Sequence, residues 1–257
     1  MPLCHLISAV DPIDDADNTK PIGDGLPETI PQWIDRNGLI EFKIKVNGDN
    51  LKWDVDRAVH IDRVVSEAQK KRGVKDWSYI FDFNEKCPNV SYFIQFVRHV
   101  HEAMPEGALR IKYTEQPTSR DLVAHPENDM HEAAAMCPVV VDESVVDVES
   151  VLLARRQGWT GAVLKSSKGF SEMLLIACVA KQENIFVAGG DMSCPGLALI
   201  QTANFQAHIP GITSIEANAR QYLPQGNKGW EDKFPGVFKV TDGMVKTREL
   251  TGMGLGA

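Results

Sequence analysis

Residues 139–169 read VVVDESVVDVESVLLARRQGWTGAVLKSSKG. A β-branched run ends on Asp142, a segment of helical spacing follows and stops at Gly158, and a second apolar run, residues 161–164, ends on Lys165. Glycine between a helix and a strand fits a left-handed helix end. A strand–helix–strand unit of this length is the building block of a parallel sheet. The same unit recurs, with candidate strands at residues 5–10, 41–46, 79–83, 110–114, 139–142, 161–164, 185–188 and 213–216. Ala58, Ile61, Val65 and Ala68 share one helical stripe, as do Phe93, Phe96, Val97 and Val100. Gly38, Gly73 and Gly211 punctuate the chain as Gly158 does. Eight such units close into a (β/α)8 barrel or spread as an open doubly wound sheet, since alternation is the same in both. After Glu216 the pattern lapses into a Gly-, Pro- and Asn-rich tail with one more strand-like stretch, residues 236–240.

The 257 residues suit one α/β barrel domain, and 43% hydrophobic with 24% charged residues excludes disorder and fibrous repeats. The longest apolar stretch, residues 173–180, is far short of a membrane span. With 35 acidic against 27 basic side chains the net charge is −8, which repels a phosphate backbone. Neither nucleic acid nor membrane is an expected partner. Five scattered cysteines and an N-terminus with no basic segment before its apolar residues lead to an expected cytoplasmic location.

Strands covered on both faces are expected to be apolar throughout. Here most carry charge at the carboxyl end: Lys43 and Lys45, Asp82 with Asn84, Glu115, Asp142 with Glu143, Lys165, Asp191 and Glu216. That end is where parallel α/β folds build ligand sites. A lone carboxylate after a strand, such as Asp191, is most often a helix cap, and a lone Lys-x-Lys a solvated edge. Seven strands with the same feature are better explained by a site. Alternation puts Lys43 and Lys45 on one face, with Phe42 and Ile44 turned to the helices. Two such ammonium groups, partly buried, are expected to depress a lysine pKa from ~10.4 towards the ~7–8 of a base. Asp82, Glu115 and Asp142 brought together would repel one another unless a cation lay among them, and oxygen-only ligands suit a hard ion such as Mg2+. No zinc site is expected, because His60, His99, His101, His125 and His131 fall in helical segments and His208 in a helix or at its end.

In order, Lys43-x-Lys45, Asp82-x-Asn84, Glu115-Gln116-Pro117, Asp142-Glu143-Ser144 and Lys165-Ser166-Ser167-Lys168-Gly169 resemble the muconate-lactonizing and mandelate-racemase branch of the enolase superfamily. The likeness runs from about Pro2 into the tail, where Asp242-Gly243 and Gly252-x-Gly254-x-Gly256 also look like the family's end. It implies a modified TIM barrel of (β/α)7β type and so decides between the two architectures. By motif it implies Mg2+, with Mn2+ as a substitute, held by Asp82, Glu115 and Asp142. Lys45 and Lys165 become the acid and base on opposite faces of a small carboxylate substrate, and Lys43 polarises the substrate carboxylate. Asn84, Asp191 and Glu216 are the expected substrate contacts, with Lys168 and Arg220 as further rim candidates. The chemistry implied is removal of the proton α to a carboxylate, giving a metal-stabilised enediolate, a scheme general to this superfamily. Lys165 on the sixth strand, with no histidine on the seventh, resembles the muconate-lactonizing subgroup. Racemisation or epimerisation, cycloisomerisation and dehydration all stay open. The alternative is a metal-binding barrel with little or no turnover that serves as a binding or assembly module.

Family members carry a capping domain ahead of the barrel that closes over the substrate. This chain begins almost at its first strand. The expectation is therefore one barrel domain, residues 1–225, with a tail, residues 226–257, and no capping domain. A lid would come from a separate capping chain or from a homo-oligomer.

Overall fold

All eight expected strands form, their ends shifted by at most three residues, in a computed structural model that describes residues 1–251. They are β1 Leu3–Ile7, β2 Glu41–Lys45, β3 Ser78–Asp82, β4 Ile111–Glu115, β5 Val139–Val141, β6 Gly161–Leu164, β7 Phe186–Gly189 and β8 Ile215–Glu216. Every hydrogen-bonded pair is parallel, and the order β7-β6-β5-β4-β3-β2-β1-β8 follows the chain around. A doubly wound sheet reverses its order at a switch point. This one does not, and it forms a nearly closed barrel whose one unladdered seam lies between β7 and β8.

Among the described residues the α-helices are α1 Ile30–Asn37, α2 Leu51–Arg72, α3 Val90–Ala103, α4 Pro105–Ala108, α5 His131–Ala134, α6 Val148–Arg156, α7 Phe170–Glu183 and α8 Leu197–His208 in the connections, with α9 Ala219–Tyr222 and α10 Pro235–Phe238 after the last strand. The starts are locally encoded. The Asn50 side chain accepts from the Trp53 N–H at 3.1 Å, Asn89 caps Tyr92 at 2.9 Å, and Asp147 forms a reciprocal box with Ser150. Gly38 and Gly73 end α1 and α2 with φ of 68° and 71°, as expected. After β8 the described residues form only single turns, among them α9 and α10, and no long helix, in keeping with a (β/α)7β-like pattern.

Two expectations fail. Residues 236–240 form no strand: Pro235 opens the one-turn α10, where its fixed φ suits the first helical position. The tail beyond it braces the barrel floor instead, with Val245 N–H on the Met1 carbonyl at 2.8 Å and Leu3 N–H on that of Gly243 at 2.7 Å. His125 lies outside the helices, between two turns. The Gly252-x-Gly254-x-Gly256 ending lies outside the described residues.

The apolar material divides by strand alternation. Outward residues such as Phe42, Ile44, Phe81 and Val141 join the helices in the large core, with Phe81 and Phe83 packed edge-on against Phe96 at 5.2 and 5.0 Å. Inward residues Cys4, Ile80, Tyr113, Val140, Val163 and Ala188 plug the barrel as a separate layer.

Candidate active site

Side chains two residues further along the same strands share the inward face, one layer nearer the carboxyl rim. From Ile80, Tyr113, Val140 and Val163 that step leads to Asp82, Glu115, Asp142 and Lys165. Strand register sets Lys45 beside Asp82 and Asp82 beside Glu115. The apolar plug therefore supports a layer of charge, and the carboxylates in it are 0–1% exposed.

Lys43 is the hub. Its Nζ lies 2.8 Å from Glu115 Oε2, 3.0 Å from Glu216 Oε1 and 3.2 Å from Asp82 Oδ2. Lys45 donates to Asp82 and, at 2.6 Å, to Asn84 Oδ1. Asn84 in turn donates to Glu143 Oε1 at 2.9 Å. Lys165 donates to Asp142 Oδ2, and Lys168 reaches Asp142 Oδ1 at 3.0 Å. The Glu216 carboxylate accepts the Asp191 backbone N–H, and Asp191 Oδ2 accepts that of Asn218 at 2.8 Å. All nine expected site residues thus fall in two linked clusters at one rim. Arg220 does not join them: its Nε donates to the Phe238 carbonyl at 3.0 Å, in the tail.

The electrostatics differ from the expectation for Lys43. Burial works to lower its pKa, but Glu115, Glu216 and Asp82 outweigh burial and hold it well above the usual lysine range. The same contest, burial against Asp142 and Glu115, leaves Lys165 raised. Like-charge repulsion between neighbouring lysines loses because register surrounds each with carboxylates. Asp142, despite burial, is pulled down to about 2 by Lys165 and Lys168, and Asp82 is held low by Lys43 and Lys45. Glu115 is pushed well above the carboxylate range by burial, then by Asp82. Asp191 rises to about 6 through burial and Glu216.

Supporting roles went unread in the sequence. Gln116, fully buried and in the left-handed region at φ 33°, accepts the Asp142 and Ser144 N–H groups at 2.8 and 3.2 Å and so fixes the Asp142 turn. Gln206 from α8 bridges the seam between Gly190 and Glu216. A Cβ on Gly189 would meet the Gln206 carboxamide at 2.8 Å, and one on Gly190 would meet Lys165 Cε at 2.7 Å. The signal available was the Gly189-Gly190 pair at the end of a strand, which marks a close approach.

The donor set suits a hard divalent cation. Six carboxyl groups, of Asp82, Glu115, Asp142, Glu143, Asp191 and Glu216, share this rim with four ammonium groups, of Lys43, Lys45, Lys165 and Lys168, so oxygen donors outnumber the cations that hold them. Glu143 Oε2 is sealed without a hydrogen-bond donor. Asp82, Glu115 and Asp142 do not all bring oxygens within 4.8 Å of one another, and lysine ammoniums are bonded to each. Among the described residues that spacing is met by Asp14, Asp17 and His60 in the β1–α1 loop and α2.

A parallel barrel with inward lysines and carboxylates on its carboxyl rim defines an α/β barrel with a charged site in its mouth. Residues 26–257 match the family model of the enolase C-terminal domain-like proteins, and the chain belongs to that family. Among solved structures it resembles a muconate cycloisomerase from Pseudomonas fluorescens, at 20% identity and TM-score 0.62 over 84% of this chain and 53% of that one. An N-succinyl Arg/Lys racemase from Bacillus cereus aligns at 21% identity and TM-score 0.64, over 84% and 51% of the two chains. The L-Ala-D/L-Glu epimerase from Bacillus subtilis aligns at 22% and 0.61, over 77% and 51%. At these identities the likeness shows the fold, and the chain spans about half the length of the structures it matches. A search of curated proteins found no match.

Proposed function

We propose that the chain binds a small carboxylate at this rim and removes the proton α to it, as an isomerase or lyase. The observation that carries the reading is the placement of two amines about one carboxylate layer. Lys45 ends β2 and Lys165 follows β6, four strands apart in an order of eight and so across the barrel from each other. Amines so opposed can serve the two faces of one carbon, one removing a proton and the other returning one. Lys43, sealed and held charged by its carboxylates, offers a fixed positive charge to the substrate carboxylate. Asn84, Asp191 and Glu216 complete the wall that positions the substrate.

Asp82, Glu115 and Asp142 are the residues that would hold Mg2+ or Mn2+. Bound there, the ion would supply positive charge that these carboxylates now draw from the lysines, and would offset charge developing on the substrate carboxylate. A lysine released from its carboxylate partner loses what keeps its pKa high and becomes able to accept a proton. Racemisation or epimerisation, cycloisomerisation and dehydration share this first step. All five cysteines are unpaired, which supports a cytoplasmic setting. No described helix is long and apolar enough to cross a membrane.

The test is solvent exchange. The protein is incubated in D2O with Mg2+ and a panel of small acids, including muconate, N-succinyl amino acids and dipeptides, and label is sought at the α-carbon. Exchange that vanishes in both Lys45→Ala and Lys165→Ala is expected. Exchange undiminished in both variants removes the lysines from the mechanism. Calorimetric Mg2+ binding with no exchange on any acid favours the binding module.

A further inference from the structure

A cavity of about 690 Å³ lies outside the charged layer, beneath the loop of residues 8–29 and against α1, α2 and α9. Its volume is that of a small-molecule site, and none of the nine site residues lines it. Two donors in its wall are unsatisfied. Arg57 is 7% exposed, yet it donates only to the carbonyl oxygens of Lys45 and Ser8, through Nε and Nη2, which leaves Nη1 without an acceptor among the described residues. Trp33 is 8% exposed, and its indole N–H likewise has no acceptor among them. Neither atom is sealed, so the surface each retains is available to the cavity that its residue lines. Water entering the cavity satisfies both donors, and a ligand that carries acceptors can take the place of that water.

The opposite charge is also present. Asp11 Oδ2 accepts from the Ser8 N–H at 2.8 Å and from the Tyr222 hydroxyl at 2.6 Å, while Oδ1 has no donor among the described residues. Asp11 and Arg57 thus grip the N–H and the carbonyl of one residue, Ser8, which fixes the two charges close together. Trp53 and Leu26 give the wall apolar surface. The lining carries Asp11, Asp17, Asp24, Glu28 and Asp56 against Lys20 and Arg57, so a plain anion meets a net negative wall, while a plain amine meets the two cations and leaves the Arg57 and Trp33 donors without an acceptor.

We propose that this cavity binds a small zwitterion, an amino carboxylate with an apolar body. Its carboxylate accepts from Arg57 Nη1 and the Trp33 indole, and its ammonium group donates to Asp11 Oδ1. The site is independent of the rim lysines and of the reaction assigned to them.

Isothermal titration calorimetry of the whole chain with L-leucine, L-methionine and L-phenylalanine tests it, alongside 3-methylbutylamine and 4-methylpentanoate, which each keep one charge of leucine. At least one amino acid binds saturably, and the leucine analogues bind about tenfold or more weaker than leucine, the loss expected of a charged hydrogen bond. Asp11→Asn and Trp33→Phe, checked for folding by circular dichroism, each weaken amino-acid binding by about tenfold, and Lys165→Met retains it. The proposal is overturned if none of the three amino acids binds, or if a one-charge analogue binds as tightly as leucine. It is equally overturned if both folded cavity variants bind as the wild type does.

Discussion

The Gln206 carboxamide oxygen accepts the backbone N–H of Glu216 at 2.7 Å, while its nitrogen donates to the Gly190 carbonyl at 2.9 Å. One side chain from α8 therefore takes the place of the ladder missing between β7 and β8. It also sets where Glu216 leaves its strand, and Glu216 is a carboxylate of the Lys43 hub.

Replacing Gln206 separates the two parts of this role. Gln206→Met keeps most of the volume but strands two sealed backbone groups, at an expected cost of about 2–4 kcal/mol. Gln206→Ala adds a cavity and is expected to cost about 3–5 kcal/mol. Urea unfolding measures both. Equal and small losses would show that the seam closes without the carboxamide.

The strands and their inward charged face were legible because strand alternation has a period of two, whereas the choice of a barrel over an open sheet came from the family resemblance. Once Lys43 and Lys45 share a face, Asp82, Glu115, Asp142 and Lys165 follow as inward residues one layer above an apolar plug. Gln116 was read only as part of a motif and Gln206 not at all, because both bond backbone groups brought near only by folding. The Lys43 pKa was misjudged for a related reason. Burial and a neighbouring lysine can be read along one strand, whereas the carboxylates that overrule them belong to β3, β4 and β8. Residues 236–240 misled because a β-rich composition competes with Pro235, and helix initiation wins.

Lys43→Met leaves Glu115, Asp82 and Glu216 crowded in a sealed layer without their shared cation. The expected loss is about 3–5 kcal/mol of stability without divalent metal. MgCl2 is expected to raise the melting temperature of the wild type and to raise that of the variant further, with both gains reversed by EDTA. Thermal unfolding with and without chelator reads this out. A variant that unfolds like the wild type would show that Lys43 does not hold the carboxylates together.

Gly190 gives Lys165 its path. Because an added Cβ would meet Lys165 Cε at 2.7 Å and Val163 Cγ1 at 2.6 Å, Gly190→Ala displaces the amine from Asp142. Misplacement on the order of 1 Å costs roughly a hundredfold in rate. Deuterium exchange is expected to fall by about that factor while circular dichroism stays native. Unchanged exchange would remove Lys165 from the proton path.

Stability against pH carries two opposed contributions. His5, sealed against Trp33 with Nδ1 unpaired, is lowered from 6.5 to about 3 by burial and by Arg220. Below pH 6.5 the unfolded chain takes up a proton that folded His5 refuses, so this contribution is lost as pH falls from 6.5 towards 3. Asp191 is raised from 3.8 to about 6. Between those values the folded chain holds the extra proton, so stability grows as pH falls from 6 to 3.8, and the cost of the buried charge is fully present above 6. Each slope is about 1.4 kcal/mol per pH unit inside its window, and the two largely cancel between pH 4 and 6. His5→Leu is expected to expose the Asp191 slope, with the variant gaining on the wild type as the pH is lowered. Asp191→Asn exposes the His5 slope, with the opposite sign. Urea midpoints for the three proteins across pH 4–7 decide it, and parallel curves would mean that neither group titrates as its burial requires.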